Sequence, residues 1–262
     1  MPSTFPLEIK EIILNLLAED DKGHSALKTC SLVCQAFLPI CRKHIFRSII
    51  LNDRNLTSPP TTHAFECLLR ESPEIADYIR KLDLTIQIAD LASSSIQESL
   101  KQISRLEFHS VQHGNLQRLD WSNNPIRPAL LHLLHLPTLT HFKVKDINVF
   151  ALSDLIPCVG LKYLNIGYMT IAAENTFPST LPEHSIQLNE FVGGLTFSGA
   201  SLMKLCTARR PDGRPIIDFA SLFKITIAFE MPDQEKASQE LFRRCHALTI
   251  AHICCKLSSL RS

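Results

Sequence analysis

One short motif recurs along the chain from residue 79 onward, and it constrains the fold more than any other feature. It consists of an apolar residue, two variable residues, a second apolar residue, one variable residue and a third apolar residue. The clearest copy runs through Leu116, Leu119 and Trp121, and Asn124 and Ile126 follow it. Further copies begin at Ile79, Ile103, Leu139, Leu161, Leu188, Leu222 and Cys245. Since side chains alternate between the two faces of a strand, each copy predicts a strand with one buried face.

The segments between the copies predict how these strands are connected. Most copies start about 20–29 residues after the previous one, which is the period of leucine-rich repeats. The copies at Leu116 and Leu222 depart from that spacing, and only Asn124 occupies the asparagine position of the repeat. Apolar residues at helical spacing lie between motifs, at Ala129, Leu130, Leu133, Leu134, Ala237 and Leu241. Strand and helix in alternation predict an α/β solenoid whose units bury their inner faces against each other.

Two proline-containing stretches interrupt this array. Residues 177–183 carry Pro178 and Pro182, and residues 209–215 carry Pro211, Gly213 and Pro215, so both are predicted to be inserted loops. No polar closing repeat follows the last motif, although terminal repeats normally have a polar outer face. We therefore expect either that the array is a fragment or that another element covers its end.

The first fifty residues predict three short helices. Pro6 suits a first helical turn, and an apolar face follows at Ile9, Ile12, Ile13, Leu16 and Leu17. A second helix is predicted from Leu27, Cys30, Val33, Cys34, Phe37 and Leu38, with Pro39 ending it. A basic third helix exposes Arg42, Lys43 and His44 and leads into a strand at Ile49 to Leu51. The predicted organisation is a helical module at 1–50, a linker and first strand at 51–62, and a parallel-sheet array at 63–262.

Three strings in the helical module resemble the F-box family, particularly its fungal members. They are the apolar-proline opening Phe5-Pro6-Leu7-Glu8-Ile9, the stretch Leu27 to Leu38 with its Leu-Val-Cys core, and Arg42 to Leu51. Phe5 stands where the family usually has leucine. The resemblance is close over residues 5 to 50 and extends loosely along the repeats.

This resemblance implies a role as an adaptor without catalytic activity. F-box proteins dock a Skp-type adaptor, and through it a cullin ubiquitin ligase, while their C-terminal arrays hold the protein to be ubiquitinated. Carried over by position, the adaptor-binding residues are Pro6, Ile9, Ile12, Leu16, Leu32, Val33 and Phe37. Apolar anchors on a helix face are a common way of recognising a partner.

Composition excludes several other classes of protein. The 27 basic and 26 acidic side chains leave a net charge of +1, so the basic excess of a nucleic-acid-binding domain is absent. Nine cysteines without the spacing of a secreted scaffold favour a reducing compartment, either cytoplasmic or nuclear. The start of the chain does not resemble a signal peptide. No stretch reaches the roughly 18 apolar residues of a membrane span, so no membrane partner is expected.

Cysteine and histidine residues raise the alternatives of a metal site and an enzyme. Cys30, Cys34, Cys41 and His44 could together hold zinc. We favour core packing, because Cys30 and Cys34 share the stripe of Leu27 and Phe37, whereas Cys41 and His44 lie beyond Pro39. The histidines do not form a nucleophile or metalloprotease motif, so we expect no catalytic residue, metal or cofactor.

The strand positions between the buried residues are the candidates for binding a target protein. They would lie on the concave face of a solenoid, where partners usually bind. The residues chosen are Gln117, Arg118, Asp120, His141, Lys143, Lys162, Tyr163 and Asn165. Their mixed charge suggests a polar protein partner, whose identity the sequence does not give. Trp121 is expected to pack in the core. The alternative to a ligase adaptor is an interaction scaffold whose N-terminal helices only cap the first repeat.

Overall fold

The structure, a computed structural model, describes residues 6–20, 23–52, 61–86, 94–113, 119–122, 124–172, 177–194, 197–229 and 232–255. Eight α-helices lie in these residues: α1 Leu7–Glu19, α2 Gly23–Val33, α3 Leu38–Ile45, α4 Thr61–Glu71, α5 Ser94–Lys101, α6 Arg127–Leu134, α7 Gly199–Thr207 and α8 Pro232–Arg244. Two 3-10 turns span Pro73–Tyr78 and Leu152–Leu155.

Within these described ranges, eight strands form one parallel sheet, and five more form two small sheets. The large sheet contains β1 Ser48–Asn52, β2 Lys81–Ile86, β3 Phe108–His113, β5 His141–Lys145, β7 Tyr163–Ile166, β10 Glu190–Gly193, β12 Lys224–Phe229 and β13 Ile250–Cys255, in that order across the sheet. The second sheet pairs β4 Leu119–Asp120, β6 Ile147–Phe150 and β8 Met169–Ile171, and the third pairs β9 Ile186–Gln187 with β11 Ile217–Asp218. The fold is thus mixed α/β around a parallel sheet.

The same hydrogen-bond pattern joins every strand of the large sheet to the next. The carbonyl of Arg47 accepts from the N–H groups of Arg80 and Lys81, both at 2.9 Å. Each later junction repeats this two-donor arrangement, at the carbonyls of Arg80, Glu107, Thr140, Lys162, Asn189 and Phe223. Because the strand order follows the chain order, each strand adds to the edge left by the one before it.

The motif residues of the strands stack in register on one face of the sheet. Leu82 lies beside Ile49 on one side and His109 on the other, and the row continues through Phe142, Leu164, Phe191, Ile225 and Ala251. Apolar residues of α4 to α8 belong to the same buried cluster. The predicted helical segments are confirmed, since Ala129, Leu130, Leu133 and Leu134 are buried in α6, and Ala237 and Leu241 in α8.

Three predicted copies of the motif are wrong in register or in sheet. The copies placed at Ile103 and Cys245 start three residues early, because the aligned strands begin their motif at Leu106 and Leu248. Sequence reasoning missed them because a histidine and an alanine, His109 and Ala251, occupy apolar positions. It also missed a first copy that starts at Phe46, whose strand β1 lies across the predicted boundary at residue 50.

The copy that looked clearest does not contribute a strand to the large sheet. Leu116 lies outside the described residues, and Leu119–Asp120 pairs with Ile147–Asn148 in the three-stranded sheet. The motif there belongs to a different, two-residue strand, which Trp121 follows. Trp121 is nevertheless buried, as predicted, at 1% exposure.

The second helix also ends earlier than predicted. It stops at Val33, and Pro39 lies in the first turn of α3 and does not terminate α2. Proline is favourable at this position because the first N–H groups of a helix have no intrahelical acceptor. Cys34 and Phe37 therefore belong to the connection between the two helices.

The two predicted inserted loops contain no helix, and a buried arginine joins them. Arg209 and Pro215 form an isolated antiparallel bridge, and Gly213 closes the turn between them with a φ of 82°, which glycine adopts without strain. Arg210 donates from its guanidinium to the carbonyls of Pro182 at 2.6 Å and His184 at 3.0 Å.

At the last strand, the inner face of the sheet is exposed. Ala251 and Ile253 occupy inward register positions opposite Ile225 and Ile227, yet both are exposed, Ile253 at 50%. Within the described residues, no helix follows β13 to cover them.

Trp121 is fixed by a buried ion pair as well as by packing. Its indole N–H donates to a carboxylate oxygen of Asp154 at 2.7 Å, and its ring lies 5.0 Å from that of Phe150. Arg127 donates to both oxygens of the same carboxylate, at 2.9 to 3.3 Å. The indole N–H therefore donates to a carboxylate, Asp154, whose negative charge is balanced by Arg127.

We expect Trp121→Ala to lower the free energy of unfolding by about 3–5 kcal/mol, because it removes a large core side chain and leaves a cavity. Trp121→Phe keeps most of the packing and loses one hydrogen bond, so its cost should be smaller. Urea unfolding of the two variants measures both values. Equal effects of the two substitutions would show that packing is not the main contribution.

His109 is a buried histidine without a hydrogen-bond partner. It is 1% exposed, its ring stacks on Phe142 at a centroid distance of 5.9 Å, and neither ring nitrogen has a partner of acceptable geometry. Burial lowers its pKa to about 4, and the backbone of Leu82 offsets only part of this shift. The imidazole is therefore neutral in the folded chain at neutral pH.

The low pKa of His109 predicts a loss of stability in acid. Between pH 6.5 and about 4 the unfolded chain binds a proton that the folded chain does not. The free energy of unfolding should fall by about 3 kcal/mol as the pH drops through this window. His109→Leu should remove that part of the slope, whereas His141→Leu, at an exposed position, should not. Unfolding curves at several pH values would test this, and an unchanged slope in His109→Leu would contradict it.

Candidate protein-binding surfaces

Helix α1 has one buried residue and many exposed apolar residues. Leu14 packs with Leu27 of α2 and Cys41 of α3 in a small core separate from that of the sheet. Leu17 is half-buried against this core. The other five large apolar side chains of α1 are exposed by 41 to 63%: Leu7, Ile9, Ile12, Ile13 and Leu16. We call these five residues the α1 ridge. Singly exposed apolar residues are ordinary, but a group of five on one short helix is typical of a surface that binds a partner.

The predicted adaptor-binding residues fall into two groups. Pro6, Ile9, Ile12 and Leu16 are exposed on or beside α1, and Leu32 and Val33 are exposed at the end of α2, by 87% and 74%. Phe37 differs, because it is half-buried against the small core and lies 5.7 Å from the ammonium of Lys10. Leu7 and Ile13 belong to the α1 ridge although they were not chosen from the sequence.

The outer face of the large sheet brings four of the predicted target-binding residues together. His141 pairs with Tyr163 and Lys143 with Asn165 on neighbouring strands β5 and β7. The rings of His141 and Tyr163 are 5.4 Å apart, and the amide of Asn165 donates to the Tyr163 hydroxyl at 3.2 Å. Lys162 lies just before β7.

Neighbouring strands extend this face beyond the predicted residues. Phe108 lies next to His141 in the register, with ring centroids 6.4 Å apart. On the other side, Glu190 follows Tyr163 and pairs with Lys224 at 2.9 Å. Across the sheet, the rings of Phe108, His141 and Tyr163 are thus followed by the ion pair of Glu190 with Lys224. Phe108 was missed because the misplaced motif at Ile103 assigned it to the core; alignment with Lys81 would have corrected this.

Asp120, Gln117 and Arg118 are the other predicted target-binding residues. Asp120 lies in the three-stranded sheet, where its carboxylate accepts from the N–H of Ser122 at 3.0 Å, so its assignment to the face of the large sheet is wrong. Gln117 and Arg118 lie outside the described residues.

The cysteines and histidine near α3 do not gather into a metal site. Among the described residues, no three metal-binding groups come together. Cys41 is buried in the small core, and burial, followed by the proximity of Cys30, raises the pKa of its thiol. The His44 ring contacts the amide oxygen of Asn15 at 2.7 Å. Cys30 packs against the same core, in agreement with the core interpretation, whereas Cys34 lies in the connection after α2 and is not one of the residues of that core, so its assignment to the buried stripe of the helix is wrong.

No family model matches the chain, and no curated protein is significantly similar to it. In the described part of the chain, no helix is both long and apolar enough to cross a membrane.

The exposure of the α1 ridge predicts that it contributes little to the stability of this chain alone. Ile9→Asp combined with Ile12→Asp should change the free energy of unfolding by no more than about 0.5 kcal/mol per site, as for ordinary surface positions. Leu14→Asp introduces the same residue on the same helix, but it should unfold the helical module because Leu14 is 2% exposed. Far-ultraviolet circular dichroism with urea unfolding distinguishes the two. Marked destabilisation by the double substitution would show that the ridge is part of this chain's own core.

Proposed function

We propose that the chain is a substrate-recognition adaptor of a Skp–cullin–F-box type ubiquitin ligase. In this proposal α1 to α3 form an F-box-type module that docks the Skp-type adaptor. The eight-stranded sheet with its helices is an irregular leucine-rich-repeat solenoid that holds a target protein. The chain contributes proximity, because it brings the target close to a ubiquitin donor and makes or breaks no bond itself.

The observation that carries the proposal is the α1 ridge. The three helices have their own small core around Leu14, Leu27 and Cys41, so their fold does not use the ridge. Burying a large apolar side chain against a partner is favourable by about 1.5–3 kcal/mol relative to leaving it in water. Binding in an apolar groove of another protein would remove the side chains of the ridge from water and so stabilise the complex. Leu32 and Val33 extend the available apolar surface to the end of α2.

The outer face of the sheet supports the second half of the proposal. It presents aromatic and charged side chains together, from Phe108 through His141 and Tyr163 to Glu190. Tyrosine is enriched at protein interfaces because its ring is apolar and its hydroxyl can bond. A polar protein surface is the partner that this combination suits.

Binding to a Skp-type adaptor tests the proposal directly. The full chain is co-expressed with a fungal Skp-type adaptor and purified by a tag on the chain, and the bound adaptor is quantified. We expect the native chain to retain the adaptor and Ile9→Asp with Ile12→Asp to lose it. Two apolar anchors contribute about 3 kcal/mol or more, so affinity should fall by a factor of about a hundred or more.

A matched control replaces two exposed apolar residues elsewhere. Val159→Asp with Ile253→Asp introduces the same charge at residues that are 44% and 50% exposed and lie outside the helical module. This variant should keep the adaptor. Failure of the native chain to bind any Skp-type adaptor would reject the ligase link and favour a repeat scaffold whose helices cap the sheet. Equal loss in both variants would show that the loss is not specific to the ridge.

A further inference from the structure

A basic cleft lies between the third helix and the start of the large sheet. It has a volume of about 230 Å³ and is lined by Lys43, His44, Arg47, Tyr78, Arg80 and Glu107. We call it the α3 cleft. One wall comes from α3 and the residues after it, and the other from the end of the first 3-10 turn and the start of the second and third strands. Its volume exceeds that of several water molecules, at about 30 Å³ each.

The lining of the α3 cleft carries an excess of positive charge. Lys43, Arg47 and Arg80 are cationic, and Glu107 is the one carboxylate among the lining residues. Glu107 lies 3.8 Å from Arg80 and offsets that charge in part. Arg80 is held in place by donating to the carbonyls of Asp77 at 2.7 Å and Ile79 at 3.1 Å. Those carbonyls orient the guanidinium without neutralising it.

The two cations from the α3 side have no partner of opposite charge. Within the described part of the chain, the side chains of Lys43 and Arg47 form no hydrogen bond or ion pair. By contrast, Arg42 on the same helix pairs with Glu74 at 2.9 Å. His44, between the two cations, has a lowered pKa because of burial, with Lys43 and then Arg47 adding to the effect and Glu11 opposing it. Lys43 and Arg47 therefore leave an excess of positive charge on this wall of the cleft.

Tyr78 adds a hydroxyl group to the opposite wall, and it too has no hydrogen-bond partner in the described residues. A neighbouring cavity of about 410 Å³ shares Lys43, His44 and Arg47 but also contains Glu19 and Asp20. Those carboxylates repel an anion from that end. Since Lys43 and Arg47 line both cavities, the two carboxylates of the larger cavity and Arg80 in the smaller one make the smaller cleft the more favourable place for an anion.

We propose that the α3 cleft binds a phosphate group between Lys43 and Arg47 on one wall and Arg80 and Tyr78 on the other. Phosphate suits this lining, because its several oxygens accept from guanidinium, ammonium and hydroxyl donors at once, and charge-assisted hydrogen bonds are the strong ones. The group is either free phosphate or a phosphomonoester on a partner's side chain. The inference does not depend on the ligase proposal, since no residue of the α1 ridge lines the cleft.

The test is calorimetric titration of the full chain with inorganic phosphate and, separately, with O-phosphoserine. Sodium chloride keeps the ionic strength constant, and the titrations are done at about pH 8, where a phosphomonoester with a second pKa near 6 is fully ionised. We expect saturable binding of one phosphate group per chain. Lys43→Gln with Arg47→Gln should weaken it about tenfold or more, because two charged donors are lost. Both residues are exposed, so the fold should be retained.

Two further variants make the result specific. Lys236→Gln removes a cation from exposed surface on α8, outside the cleft, and should leave binding unchanged. Tyr78→Phe deletes only the hydroxyl and should weaken binding by a smaller factor than the double substitution. Absence of saturable binding, or equal weakening by Lys236→Gln and the double substitution, would overturn the proposal. Tighter binding of O-phosphoserine than of phosphate would identify the source as a partner's phosphorylated side chain, and the reverse would identify free phosphate.

Discussion

The main-chain ladder at the start of each strand is the constraint on which the rest of the structure depends. One carbonyl accepts from two successive N–H groups of the next strand, from Arg47 through to Phe223. Buried backbone groups must be paired, and this arrangement pairs them at every junction, while the buried side chains determine which register is used. The segment between two strands can then vary in length, and the insertions at residues 177–183 and 209–215 are accommodated without disturbing the order of the strands.

Much of this fold could be predicted, because apolar spacing reports burial directly. Copies such as Leu139 and Leu161 gave the correct register, and with it the placing of His141 and Tyr163 on the outer face. The failures have a physical cause. His109 is as buried as a leucine, yet a pattern search treats it as polar, and only pairing with its neighbours reveals its position. Conversely, Trp121 satisfied the pattern although the strand just before it, β4, belongs to another sheet.

The candidate surfaces differ in how far the sequence predicts them. The α1 ridge is encoded within one helix, so its residues could be identified from local spacing. The α3 cleft could not be anticipated, because Arg47 and Arg80 come together only when β1 pairs with β2. Asp120 shows the same dependence on tertiary structure. It was assigned to the large sheet because the strand that contains it was assigned there, whereas that strand pairs in the three-stranded sheet.

The small core of the helical module has a thermodynamic consequence. Among its described residues, the buried apolar side chains are those of Leu14, Leu27 and Cys41, and the ion pair of Arg42 with Glu74 is one link to the rest of the chain. Modules with so few buried side chains are marginally stable, whereas the sheet has a large core of its own. A protein that covered the ridge, as in the proposed function, would bind only the folded helices, so the folded fraction of the module would rise with the concentration of that protein.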